Sequence, residues 1–174
     1  MSKYIILFFF LYSSLTISSQ VLTLEERNLY NIIMEYRMEL GLPEIPISKA
    51  LTKVAQLHCE DLTVNHPDKD ICNLHSWSNK GTWNSCCYTD DHAKASCMWD
   101  KPKELTSYNF PGYEIASYSS ASMTAEMALD IWKKSKPHND VISNKDIWKE
   151  QWKAIGIGIQ GSYAVVWFGN SLDD

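Results

Sequence analysis

The residues with the most chemistry in them are crowded into one stretch, CNLHSWSNKGTWNSCCYTDDH, from Cys72 to His92. It holds three of the five cysteines and two of the five histidines of the 174-residue chain. Zinc ligation, disulfide pairing and nucleophilic catalysis all use such residues. A structural zinc site wants two close ligand pairs with a spacer inside each. Cys86-Cys87 has no spacer, and Cys72, Cys97 and His92 do not restore the pattern. A catalytic cysteine needs a thiolate beside a histidine, which thiols in an oxidising compartment rarely supply.

The start of the chain bears on the compartment. One lysine, an apolar run from Tyr4 to Tyr12 and a small, hydroxyl-rich stretch ending Ser18-Ser19 have the layout of a secretory signal. The run falls short of the roughly 20 residues that span a bilayer. Residues 1–19 are therefore expected to be a signal peptide, and residues 20–174 one exported domain. Export favours disulfides. Cys72, Cys86, Cys87 and Cys97 are expected to form two bridges. A vicinal Cys86–Cys87 bond would distort its peptide unit, and either remaining connectivity is open. Cys59, beside Ala55 and Leu62 in a helical pattern, is the odd one, expected buried and inert.

The net charge of −5 comes with no basic patch, so nucleic acid is not an expected partner. No later apolar run is long enough for a membrane span, and a monomer is expected.

The histidines need elements to position them. Thr23 and Glu26 form a capping-box pattern before a run with Leu29, Ile32, Ile33, Tyr36 and Leu40 at helical spacing. Gly41 and Pro43 end it. A second helix opens at Ser48 and puts Leu51, Ala55, His58 and Leu62 on one face. His58 there is expected to be a packed histidine bonded to a backbone group, and His66 and His92 to be solvated. From about 66 to 111 the periodicity fails, apart from a short helix within DDHAKASCMW, and the loop is expected to be stapled by its cysteines. Trp77, Trp83 and Tyr88 in that loop are expected either to line a cleft rim or to fill a small satellite core.

YEIASYSS reads as a strand. SMTAEMALDIWKKS reads as a helix with Met127, Ile131 and Lys134 on one face, an Asp130–Lys134 pair, and Pro137 just past its end. KDIWKEQW is expected to be a short helical or irregular piece. AIGIGIQ and YAVVWFG form a terminal hairpin about Gly161-Ser162. Helices followed by an antiparallel sheet with a helix between its strands give an α+β layered domain.

GYEIA, WKKSKPHNDVI and IGIGIQGSYAVVWFG, in that order, and YRMELGLPEIPISKALTKVAQLHCEDL before them resemble the CAP family (cysteine-rich secretory, antigen 5 and pathogenesis-related 1 proteins), in its bacterial secreted, SCP-like form. The resemblance runs from Leu24 to Gly169. It implies a three-layer α-β-α sandwich with a central antiparallel sheet. It also implies a cleft holding His75, Glu114 and His138. Ser135 stands where the family has a second glutamate, and Glu126, nine residues earlier on a helix, faces the other way. Met34 stands where many relatives carry asparagine. His75, His138 and Glu114 are then candidate ligands of a divalent metal, zinc, since two imidazoles and a carboxylate with an open water position make a catalytic zinc geometry. No catalytic residue is assigned. The expected function is a secreted, non-catalytic binding module taking a small apolar or peptide ligand. A metal-dependent hydrolase or protease, and a structural protein of the cell exterior, are the alternatives.

Overall fold

The computed structural model describes residues 22–173; the expected signal peptide lies outside them. Helix α1 spans Leu24–Glu39, and Thr23 caps it in the expected box, with Glu26 returning the bond to the Thr23 backbone. Helix α2 spans Lys49–Asn65 with the Ser48 side chain accepting from Leu51 N. Two short helices, α3 (Ala95–Trp99) and α4 (Lys101–Leu105), lie in the long loop. Strand β1 (Tyr113–Tyr118) is followed by α5 (Ala125–Lys134), α6 (Lys136–Ile142), β2 (Ala154–Gln160) and β3 (Tyr163–Gly169).

The three strands form one antiparallel sheet in the order β1-β3-β2. All seven residues of β3 are buried, so the sheet is covered on both faces. Because side chains alternate along a strand, each face has its own core. Ile115, Ile155, Ile157, Ala164, Val166 and Phe168 pack with α1, α5 and α6. Ala116, Ala154, Tyr163, Val165 and Trp167 pack with α2 and the cysteine-rich loop. This is an α-β-α sandwich. The α2 face of β2 is glycine, and for a steric reason. A Cβ on Gly156 would lie 2.1 Å from the Leu51 carbonyl carbon, and one on Gly158 2.5 Å from that of Ala55. Helix α2 thus rests directly on strand backbone.

Helices α5 and α6 add to the expected pattern. Helix α5 buries Ala125, Ala128, Leu129 and Trp132. Met127 and Ile131 are only half-buried on its flank, and Lys134 is exposed in its pair with Asp130. Small Ala125 and Ala128 are fully buried and let α5 lie close to α1. Pro137 lies just past the end of α5, as expected, and also opens a further helix. It sits in the first turn of α6, where its missing N–H costs nothing.

The cysteines of the loop pair as Cys72–Cys87 and Cys86–Cys97, with Cys59 free and buried. Trp77 and Cys86 exchange backbone hydrogen bonds as an isolated antiparallel bridge. Trp77 and Tyr88 are buried in the α2-side core, and Trp83 packs edge-on against Trp77. Helix α2 anchors the loop through Asp61, whose carboxylate accepts from Ser78 N at 2.7 Å and Ser78 Oγ at 2.5 Å. Lys101, buried in the loop, donates to the Asn84 carbonyl and lies 5.4 Å from the Trp77 ring.

Candidate functional site

Glu114 is the second residue of β1 and points to the α2 side of the sheet, opposite Trp167 in register. Its side chain is fully buried. An isolated buried carboxylate is costly, and two histidines meet this one. His58 Nδ1 lies 2.5 Å from Oε2, and His75 Nδ1 lies 2.6 Å from Oε1. Burial by itself raises the Glu114 carboxyl, but the two imidazoles outweigh it and hold the group down at about 2. The other His58 nitrogen, Nε2, donates to the Ser76 carbonyl at 2.9 Å. Both ring nitrogens of His58 therefore face oxygens. Its ring also stacks on Trp77, with centroids 4.2 Å apart and planes 9° from parallel.

The backbone bond to Ser76 is the one expected of His58; its bond to Glu114 was missed. The available signal was a histidine among Leu51, Ala55 and Leu62 on the buried face of α2, because such a ring needs two polar partners.

His75 comes from the stapled loop. Asn73 Oδ1 accepts from His75 N at 3.1 Å, and the Tyr88 ring meets the imidazole edge-on. His138, on α6, faces the same cleft. Its Nδ1 is buried without a hydrogen-bond partner, and burial, then the nearby His75, push the imidazole down to about 4. The cleft brings His75, Glu114 and His138 together. Ser135 is the N-cap position of α6, makes no side-chain capping bond, and is not among the residues lining the cleft. Glu126 is exposed on α5 and accepts from Asn28 of α1. Met34 Sδ accepts from Ile45 N at 3.3 Å. His92, although exposed, lies at the cleft and bonds the Tyr88 hydroxyl, and His66, also exposed, lies 3.3 Å from the Tyr163 hydroxyl.

The cleft has a volume of about 560 Å³. One wall is aromatic: Trp99, Tyr113 and Trp148. Met98, Ile115, Pro137, Val141 and Ile147 extend the apolar lining. Lys136, Asp140 and Asp146 add charge.

The donor set bears on zinc. Both Glu114 oxygens are engaged by imidazoles, so the carboxylate stands behind His75 and not beside it as a third ligand. Among the described residues no group of three His, Cys, Asp or Glu is placed to hold a metal ion. A His₂Glu site of three protein ligands does not fit this arrangement. What remains is two imidazoles, His75 backed by a carboxylate and His138 with an orphaned nitrogen.

No family model matches the sequence, and no curated protein matches it. Solved structures do match. An extracellular protein containing an SCP domain from Bacillus anthracis has a TM-score of 0.57 at 16% identity, over 84% of this chain and 40% of its own. A cysteine-rich secretory protein from Staphylococcus aureus has a TM-score of 0.55 at 17% identity, over 84% of this chain and 38% of its own. An outer surface protein from Borrelia burgdorferi has a TM-score of 0.55 at 21% identity, over 83% of this chain and 91% of its own. The chain thus spans about two-fifths of the first two proteins and nine-tenths of the third.

Proposed function

We propose that this chain, which has the CAP (SCP) fold, is a binding module acting outside the cytoplasm, and that its His/Glu cleft takes a small ligand with apolar surface without transforming it. The observation that carries this reading is the cleft itself. A preformed cavity of about 560 Å³ with aromatic and aliphatic walls and a few fixed polar groups is the usual form of a small-molecule site. The buried Glu114 serves to hold two rings in place, and among the described residues lining the cleft none is Ser, Thr or Cys. Two disulfides support an exported protein. So do two of its structural neighbours, an extracellular protein and an outer surface protein.

Titration with n-octanol followed by two-dimensional NMR tests the reading. Saturable shifts of the Trp99 and Trp148 indole N–H signals are expected. An unchanged spectrum up to the solubility limit overturns it.

A second reading, zinc held by His75 and His138 alone, is favoured by the unpartnered Nδ1 of His138 and by Glu114 behind His75, the outer-carboxylate pattern seen at zinc histidines. Zinc titration by calorimetry tests it. Heat that is lost in both His75→Ala and His138→Ala but kept in Glu126→Ala supports it; no heat in the unaltered protein removes it, and the hydrolase alternative with it.

A further inference from the structure

Tyr113 meets three tryptophans: Trp99 and Trp148, which line the cleft with it, and the buried Trp152. The Trp99 ring lies 6.0 Å from that of Tyr113, centroid to centroid, with planes at 62°, and the Trp148 ring lies 5.1 Å away at 67°. Two near-perpendicular corners that share one ring make a three-walled box.

The walls are fixed from behind. Gly112 N donates to the Trp99 carbonyl at 3.0 Å, tying the end of α3 to the start of β1. Asn144 Nδ2 donates to the Trp148 carbonyl at 3.0 Å, and buried Arg37 donates to Asn144 Oδ1 at 2.8 Å. The box therefore exists before any guest arrives, which removes part of the ordering cost of binding.

The charged lining of the cleft is net acidic. Apart from the histidines, the charged side chains of the cleft are Glu114, Asp140 and Asp146 against the single cation Lys136. Glu114 is held between its two imidazoles. Lys136 Nζ is spent on Asp140 Oδ2 at 2.5 Å. Asp146, exposed in the same loop as Trp148, lies within the field of Lys136 but outside its ion pair, and leaves the cleft lining net acidic. The faces of indole and phenol rings are negative and attract cations within about 6 Å of the ring centre. A compact cation with an apolar skin satisfies both the rings and the carboxylate. A bare ammonium or metal ion would lose more hydration than the rings return.

We infer that the Trp99–Tyr113–Trp148 box is a subsite for a quaternary ammonium group, so that the cleft's ligand carries a trimethylammonium head. This rests on the binding-module reading and names its ligand class.

The test compares choline with its neutral isostere 3,3-dimethylbutan-1-ol, each titrated into the unaltered protein and followed by the Trp99 and Trp148 indole signals, with n-octanol as the apolar reference. Choline is expected to bind about tenfold more tightly than the isostere. Asp146→Asn is expected to weaken choline and leave the isostere unchanged, and Trp148→Leu to weaken both. Equal affinity for choline and isostere overturns the subsite while leaving the binding-module reading in place. So does binding of n-octanol with none of choline. Failure of all three probes overturns both. The isostere comparison uses the unaltered chain, so an unfolded Trp148→Leu variant does not blunt it.

Discussion

His58 holds Glu114 from inside the molecule, with Nδ1 2.5 Å from Oε2 and both side chains fully buried. No water can take the place of this imidazole without a cavity opening under the sheet. Removing it leaves a buried carboxylate held from one side only. His58→Ala is expected to destabilise the protein by about 3–5 kcal/mol. His75→Ala should cost less, because that ring is partly exposed and solvent can reach the vacated oxygen. Urea denaturation of the two variants measures the difference. Equal losses would mean that the inner contact has no special weight.

Stability should depend on pH through His138. Its imidazole is pushed down to about 4 in the fold, against about 6.5 in an unfolded chain. Between these values the unfolded chain binds the proton and the folded one does not, so stability falls as pH drops from about 6.5 to about 4. Glu114, held at about 2, acts below that window. Its contribution is present above about 4.3, the unfolded value, and is lost as pH falls towards 2. Thermal melts at closely spaced pH should show the upper slope in the unaltered protein and a shallower one in His138→Asn. An unchanged slope in that variant would assign it to other groups.

Peptide mapping without reduction should recover Cys72 linked to Cys87 and Cys86 linked to Cys97, with Cys59 unlabelled until the protein unfolds. Burial pushes the Cys59 thiol well up, so its thiolate is scarce as well as inaccessible. Removing either bridge should cost about 2–4 kcal/mol. Recovery of a Cys72–Cys97 peptide would contradict the fold of the loop.

Gly158→Ala should be among the most damaging small substitutions. The added methyl meets the backbone of α2 at Ala55, which cannot rotate away as a side chain could. A loss of about 3 kcal/mol or more is expected, at the upper end of overpacking. Gly41→Ala provides the contrast: nothing lies within 4 Å of its Cβ, but its positive φ sets a cost of about 1 kcal/mol. Chemical denaturation of the pair separates collision from backbone strain.

Much of the frame was legible because its signals are local. A capping box at Thr23 and Glu26, an N-cap at Ser48 and two alternating runs around Gly161 each lie within a few residues of what they specify. Glu114, His75 and His138 were placed through a resemblance carried by the order and spacing of motifs together, not by any local pattern. The partner of His58 was not legible, since the bond joins a helix to a strand 56 positions later; the periodicity of α2 marks only that the ring is buried. The aromatic box was hidden for the same reason: Trp99, Tyr113 and Trp148 come from a loop helix, a strand and a second loop. Helix α6 was missed because Pro137 was read only as lying past the end of α5, when it also sits in the first turn of a new helix.

The adjacent half-cystines Cys86 and Cys87 send their bridges in opposite directions along the chain, one forward to Cys97 and one back to Cys72. The two covalent rings therefore overlap at a single peptide bond. A protease that cuts anywhere between Cys72 and Cys97 leaves the two fragments joined by at least one bridge, even if it cuts between Cys86 and Cys87 themselves. Exposed loops are where such nicks fall. The segment that presents His75 can thus be clipped without being shed, and a nicked molecule would run as one chain until a reductant separates it into two.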